Sequence, residues 1–239
     1  MEEQKTFTFS IPVAIVVAGA LIAGAIFLVS QGSGSGGGTD NPEAISPVGA
    51  NDHILGNPNA AVKVVEYSDL ECPYCKTFQA TMHEIMKSYG PSGNVAWVFR
   101  HFPLAQIHSK APQEAVAAEC AAQVGGNDGF WKFVDHLYEL TPSSNGLDLT
   151  QLPVIASEAG LDRAQFEACI ANNDYLANIQ KSYSEAVAAG AEGTPFVVLV
   201  NAEGGTLVLA GAQPFSSMKA AIDQMLGSTG AISATPTGQ

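Results

Sequence analysis

Basic residues, cysteines and histidines are all scarce in this chain, and each scarcity removes a class of function. Ten lysines and arginines stand against 23 aspartates and glutamates, for a net charge of −13. That balance argues against nucleic acid or an anionic membrane surface as a partner. Four cysteines in 239 residues are too few to staple a small scaffold, so a hydrophobic core must carry the fold. A single C-x-x-C occurs, with no second one and no H-x-x-x-H to complete four zinc ligands. None of the five histidines pairs recognisably with a nucleophile, which speaks against a Cys–His hydrolase. There is no internal repeat.

What is abundant is apolar. Hydrophobic residues make up 46% of the chain, enough for one domain with a sizeable core and appendages. Ile11 to Val29 is uncharged and apolar throughout, and as a helix it would be about 28 Å long, enough to cross a bilayer. Lys5 is the only basic residue near either end, which places residues 1–10 in the cytoplasm and the chain beyond Ser30 outside. The expectation is a single-pass anchor over 11–30, with a cleaved signal peptide as the alternative. Residues 31–47 (QGSGSGGGTDNPEAISP) have the composition of a flexible tether. The globular domain is expected over 48–226, and the small, polar residues 227–239 as a disordered tail.

Within that domain, Val62 to Tyr67 is β-branched and reads as a strand. Phe78, Met82, Ile85, Met86 and Tyr89 then mark one helical face, ended by Gly90-Pro91. A second strand follows over Val95 to Phe102. The stretch from about 105 to 190 reads as helical. One helix is opened by Pro112 and closed by Gly125, and another covers Phe130 to Leu140. A third is capped by Asp162, and a fourth carries a Leu176, Ile179, Tyr183 and Val187 stripe. Strands at Phe196–Val200 and Thr206–Ala210 and a last helix ending near Leu226 complete the order. The expected fold is α/β, a β-α-β unit and a β-β-α unit separated by a helical block.

Cys72-Pro73-Tyr74-Cys75 sits where the first strand meets the first helix. Unpaired N–H groups and the helix dipole stabilise a thiolate there. Pro73 suits the first turn because its missing N–H has no partner to lose. Two intervening residues bring Cys75 one turn on, within bridging reach of Cys72. The assignment is an exposed attacking Cys72 and a more buried resolving Cys75. Half a zinc site and a purely structural disulfide remain as alternatives, though so tight a loop stabilises little.

A second motif, EGTPFVVLV, puts Thr194-Pro195 directly before a strand. Together with the CPYC, it makes the chain from about His53 to Leu226 resemble the DsbA-like branch of the thioredoxin-fold oxidoreductases. The resemblance implies a thioredoxin fold, a central mixed sheet flanked by helices, with an inserted helical domain. It also implies that Pro195 is a cis-proline facing the cysteines and that Thr194 offers its backbone to an extended substrate. Pro73 and Tyr74 then belong to the site. Glu66 matches a partly buried glutamate thought to influence cysteine protonation in that family, against a solvent-facing strand residue. Asp69 reads as a turn residue, and Arg100 and His101 receive no catalytic role. Cys120 and Cys169 both fall on core-facing helical positions. Two thiols on packed helices in an oxidising compartment tend to pair, and some tethered relatives carry a pair in similar places. A structural Cys120–Cys169 disulfide is expected, against two buried free thiols.

The resemblance implies an extracytoplasmic thiol–disulfide oxidoreductase at a bacterial cell membrane. It would oxidise cysteine pairs of exported proteins and be reoxidised by a DsbB-like or vitamin-K-epoxide-reductase-like membrane protein. Neither a metal nor an organic cofactor is implied. A reductase or isomerase, or a tethered peptide-binding module with an idle disulfide, are the rival readings. If Ile11 to Val29 is an uncleaved anchor, the protein should resist alkaline carbonate extraction and keep its first residues by mass spectrometry. A soluble form beginning after residue 20 would mark the run as a signal peptide.

Overall fold

The computed structural model describes residues 41–172 and 175–231. The expected cytoplasmic N-terminus, the anchor and residues 31–40 of the tether lie outside the described residues, as do residues 232–239. Five strands form one mixed sheet in the order β1-β3-β2-β4-β5. They are β1 (His53–Gly56), β2 (Val62–Ser68), β3 (Val95–His101), β4 (Phe196–Asn201) and β5 (Thr206–Ala210). β2 runs parallel to β3, with Glu66 opposite Phe99, and antiparallel to β4, with Glu66 opposite Val197. β5 pairs antiparallel with β4, and β1 antiparallel with β3. The short, half-buried β1 has no apolar run to announce it and was not expected from the sequence.

Helices cover both faces of the sheet, which is why β3 is buried along its whole length. Side chains alternate across a strand, so Val64 pairs with Trp97 and Phe99 in one core while Val65 and Tyr67 join Val98 in the other. The larger core receives Phe78, Met82 and Ile85 from α1 (Pro73–Tyr89). It also receives the helical insertion: α2 (Ala111–Leu140), α3 (Leu152–Glu158) and α4 (Arg163–Asn172). Met218 and Ile222 of α6 (Phe215–Ala231) close it. α5 (Leu176–Ala188) covers the smaller core. Its buried residues are Ala186, in that core, and Ile179, which joins the larger one, while Leu176 and Val187 of the expected stripe are exposed. The stripe is therefore set one position off the expected one toward its C-terminal end.

Two boundaries differ from expectation. Residues 41–47 are not free tether: Ala44 and Ile45 pack on the smaller core, and Asn41 N–H donates to the Ala189 carbonyl at 3.1 Å. α6 runs to Ala231, past Gly227, where the tail was expected to begin. The two helices expected on either side of Gly125 meet as one kinked element, α2. Gly126 sits at φ 66° and ψ −162°, a conformation open to glycine because it has no Cβ. The kink delivers Asn127 to the sheet edge, where its side chain accepts from Ile54 N–H at 2.9 Å and donates to Ile54 C=O at 2.8 Å. One amide thus caps exposed ladder groups of edge strand β1.

Two further ties hold the layers together. Arg100 is buried and forked onto Asp52 at 2.8 and 3.1 Å, and it also donates to the Tyr67 hydroxyl and the Ser46 carbonyl, each at 3.0 Å. Burial opposes its charge, but the Asp52 carboxylate holds the guanidinium protonated. Cys120 of α2 and Cys169 of α4 form a disulfide, 49 residues apart in sequence. A loop of that length is worth about 4 kcal/mol by chain entropy. Replacing both cysteines by alanine should lower the urea unfolding free energy by roughly 3–4 kcal/mol and leave the thiol reactivity of Cys72 in the folded fraction unchanged. Lost reactivity in a folded double variant would instead make this pair part of a redox relay.

Candidate active site

The turn between β2 and α1 is built by Asp69. Its side chain accepts from the N–H groups of Glu71 and Leu104, both at 2.8 Å, and meets His108 Nδ1 at 2.9 Å. Its carbonyl accepts from Cys72 N–H at 3.1 Å and from the Tyr138 hydroxyl at 3.2 Å. Its own N–H points at Cys75 Sγ, 3.5 Å away. Read from sequence as a turn residue, Asp69 is buried and organises the whole junction. An aspartate after a strand signals a local turn, but not the partners it gathers from 35 and more residues away.

Cys72 is the N-cap of α1 and Pro73 its first residue. Both cysteines carry free thiols, and both are buried. Cys72 keeps 5% of its surface and Cys75 none, so the attacking sulfur is recessed rather than exposed, while the order of access is as expected. Four contributions favour the Cys72 thiolate. The Cys75 thiol donates to its sulfur, and Thr194 and the N–H groups of Cys75 and Tyr74 add to that. Together they outweigh burial and bring the Cys72 thiol down to about 6. Burial pushes the Cys75 thiol the other way, well above its ordinary value, and the neighbouring Cys72 adds to the rise. The pair is split into a thiolate and a thiol.

Across from the cysteines, the Thr194–Pro195 peptide is cis. Cys72 Sγ lies 3.5 Å from the Thr194 carbonyl oxygen. β4 begins at Phe196, so this corner is carried on the strand that neighbours β2. Pro73 is exposed, and the Tyr74 side chain stands 67% exposed. Tyr74 therefore acts on the thiolate through its backbone and presents its ring outward.

Glu66 is fully buried beneath the junction, neither solvent-facing nor only partly buried. Trp97 Nε1 donates to its Oε2 at 2.8 Å. Burial pushes its carboxyl up to about 7, and charge on Cys72 adds to the rise. A second acidic group escaped sequence reasoning. Glu71, next to Cys72, and Glu114 of α2 are both fully buried. Burial and the adjacent Glu71 push Glu114 up to about 10, so it is neutral at pH 7. Glu71 accepts from Asn145 N–H through its side chain and from Ser144 N–H through its carbonyl. It thereby pins a loop in which Ser143, Ser144 and Asn145 all take positive φ. Nothing in the local sequence signals a glutamate pair formed across 43 positions.

The family model described as Thioredoxin matches residues 49–224. Among solved structures, the chain is similar to DsbA2 of Pseudomonas aeruginosa, at 28% identity and TM-score 0.63, covering 75% of this chain and 97% of that one. It is also similar to a thioredoxin-like oxidoreductase from Silicibacter pomeroyi, at 26% identity and TM-score 0.63, covering 78% and 98%. The chain belongs to the thioredoxin family, on its DsbA-like branch. It is a thiol–disulfide oxidoreductase. BdbD of Bacillus subtilis shares the fold at TM-score 0.64 and 20% identity, with 80% of this chain and 97% of that one covered. Among curated sequences, the DsbA-like chain is 34% identical over 148 residues to the Na(+)/H(+) antiporter NhaA 3 of Salinispora tropica. That match takes 60% of this chain but spans 21% of the antiporter, so ion antiport is not carried over.

Alkylation of the reduced protein should follow the Cys72 thiolate, half-maximal near pH 6, with Cys75 inert over the same range. Cys75→Ala should move that midpoint upward, because the Cys75 thiol is the largest contributor to the lowered value. Equal labelling of both cysteines near pH 5 would contradict the split.

Proposed function

We propose that the DsbA-like protein is a membrane-anchored oxidase that introduces disulfides into exported proteins on the outer side of the bacterial cell membrane. One observation carries the oxidase reading: the Cys72 thiol is lowered to about 6 while Cys75 is raised and sealed. A favoured thiolate stabilises the reduced pair, which makes the Cys72–Cys75 disulfide the stronger oxidant.

In the oxidised enzyme a substrate thiolate attacks Cys72, the sulfur with residual access. The Cys72–Cys75 bond breaks, and Cys75 leaves and takes up a proton. The substrate's second thiolate then attacks its own sulfur in the mixed disulfide and expels Cys72 as the thiolate. The substrate has lost two electrons and the cysteine pair has gained them. Glu66, which feels the charge of Cys72 and whose own charge Cys75 feels, is suited to exchange the Cys75 proton. A DsbB-like or vitamin-K-epoxide-reductase-like membrane protein takes the electrons away.

Substrate recognition rests on the Thr194 backbone, which lies beside Cys72 and offers edge pairing to an extended chain. Exposed apolar side chains border the same junction. Tyr74 belongs to the CPYC, Leu140 lies between the two residues whose carbonyls accept from Lys76, and the Ile107 carbonyl accepts from Asn145. Such a rim suits unfolded chains rather than one folded partner. The Gly/Ser-rich residues 31–40 would let the domain reach them from its anchor.

In a glutathione buffer the Cys72/Cys75 couple should lie nearer the oxidising value of about −120 mV of characterised DsbA than about −270 mV of thioredoxin. Cys75→Ala should accumulate mixed disulfides with dithiol substrates, and Cys72→Ala almost none. A potential near that of thioredoxin would make the protein a reductase, and no turnover of a dithiol peptide would leave a binding module.

A further inference from the structure

We infer that His53, His101 and Glu119 form a binding site for a divalent cation of the zinc class, at the seam between the sheet and the inserted helices. The three residues arrive from three elements: β1, the end of β3, and α2. Their donor atoms all lie within 4.8 Å of one another. Glu119 Oε1 is 3.0 Å from His53 Nε2 and 3.1 Å from His101 Nε2. Those separations are a few tenths of an ångström short of the roughly 3.4 Å between tetrahedral ligands of one ion bound at about 2.0–2.2 Å, so small side-chain movements would seat it.

The second observation is the direction of His101. The His53 contact is a well-aligned hydrogen bond. His101 Nε2, although as near to the same oxygen, is placed for an ion pair but makes no aligned hydrogen bond among the described residues. His101 is 4% exposed, so water does not replace the missing hydrogen bond cheaply. An ion held by all three donors satisfies that nitrogen and relieves the two imidazoles of sharing one carboxylate oxygen.

The rings are held for this before any ion arrives. His53 stacks on Phe130 at 3.6 Å and 6°, and His101 meets Phe99 and Phe130 edge-on at 5.3 and 6.0 Å. Access is provided by an open cleft of about 410 Å³ whose walls include all three residues and none of the CPYC centre. Arg100, also in that cleft, is already committed to Asp52 and Glu185. Two imidazoles and a carboxylate suit zinc, nickel or copper and not calcium or magnesium, which take oxygen ligands. Three protein ligands leave a position for water.

The test uses the full chain in detergent with Cys72 and Cys75 oxidised, so that their thiolates cannot ligate. Zinc titrated against a chromophoric chelator should bind with one equivalent per chain. Either His101→Gln or Glu119→Gln should weaken binding at least tenfold. His83→Gln, which alters a half-exposed histidine paired with Asp135, should leave binding unchanged. Calcium should not compete. Imidazole NMR of the unsubstituted protein provides a readout that does not depend on a variant folding. Zinc should shift the His53 and His101 signals and leave those of His83, His108 and His136 in place. No binding to the unsubstituted protein, binding that survives His101→Gln, or shifts confined to the other histidines would each overturn the assignment.

Discussion

The chemistry of this protein depends on one junction, the point where β2 stops and α1 begins. Cys72 is the last residue before the helix, so the N–H groups of the first turn converge on its sulfur. Cys75, one turn further, donates its own thiol. Strand and helix must both be rigid for this to hold. β2 is fixed between β3 and β4, and α1 is anchored through Phe78, Met82 and Ile85, all fully buried. A shift of either element would move the sulfur off the N–H groups and return the thiol toward its ordinary value of about 8.5.

Beneath the junction lies a concentration of buried acid. Glu66, Asp69, Glu71 and Glu114 are all at most 1% exposed. Each meets that cost differently. Asp69 spends its oxygens on backbone N–H groups and His108. Glu114 is neutral at pH 7, and Glu66 sits near 7 because burial dominates. Only one of these arrangements, Glu66 with its charge felt by the Cys75 thiol, bears directly on proton movement at the cysteines. The others shape the loops around them.

The inserted helices are attached to the sheet by specific ties as well as by packing. Asn127 caps β1, the Cys120–Cys169 disulfide locks α2 to α4, and Phe130 stacks on His53. Glu119 immediately precedes Cys120, so the disulfide also steadies the carboxylate of the inferred cation site. That site and the redox centre share no residue: the first is built from β1, β3 and α2, the second from the β2–α1 junction and the turn before β4.

What the sequence determined by itself was local. The CPYC at a strand-to-helix junction, the Thr-Pro before a strand and the helical faces of α1 and α4 are short-range patterns. Periodicity and capping express them directly, and Asp162 indeed accepts from Gln165 N–H at 2.9 Å. The helical face of Cys120 and Cys169 was legible as well, because a core-facing position follows from spacing alone. The tertiary structure decided whatever depends on distant partners. Glu66 could be placed in a strand but not buried under Trp97. β1 could not be seen because its four residues gain their structure from β3 and Asn127. The packed segment at 41–47 looked like linker because its apolar residues have no periodicity of their own and dock on a core made elsewhere. Glu71 with Glu114, and His53 with His101 and Glu119, are separated too widely for any spacing rule. Chain folding alone brings such groups within a few ångströms, and the neutral state of Glu114 is a property of that enclosure rather than of the residue.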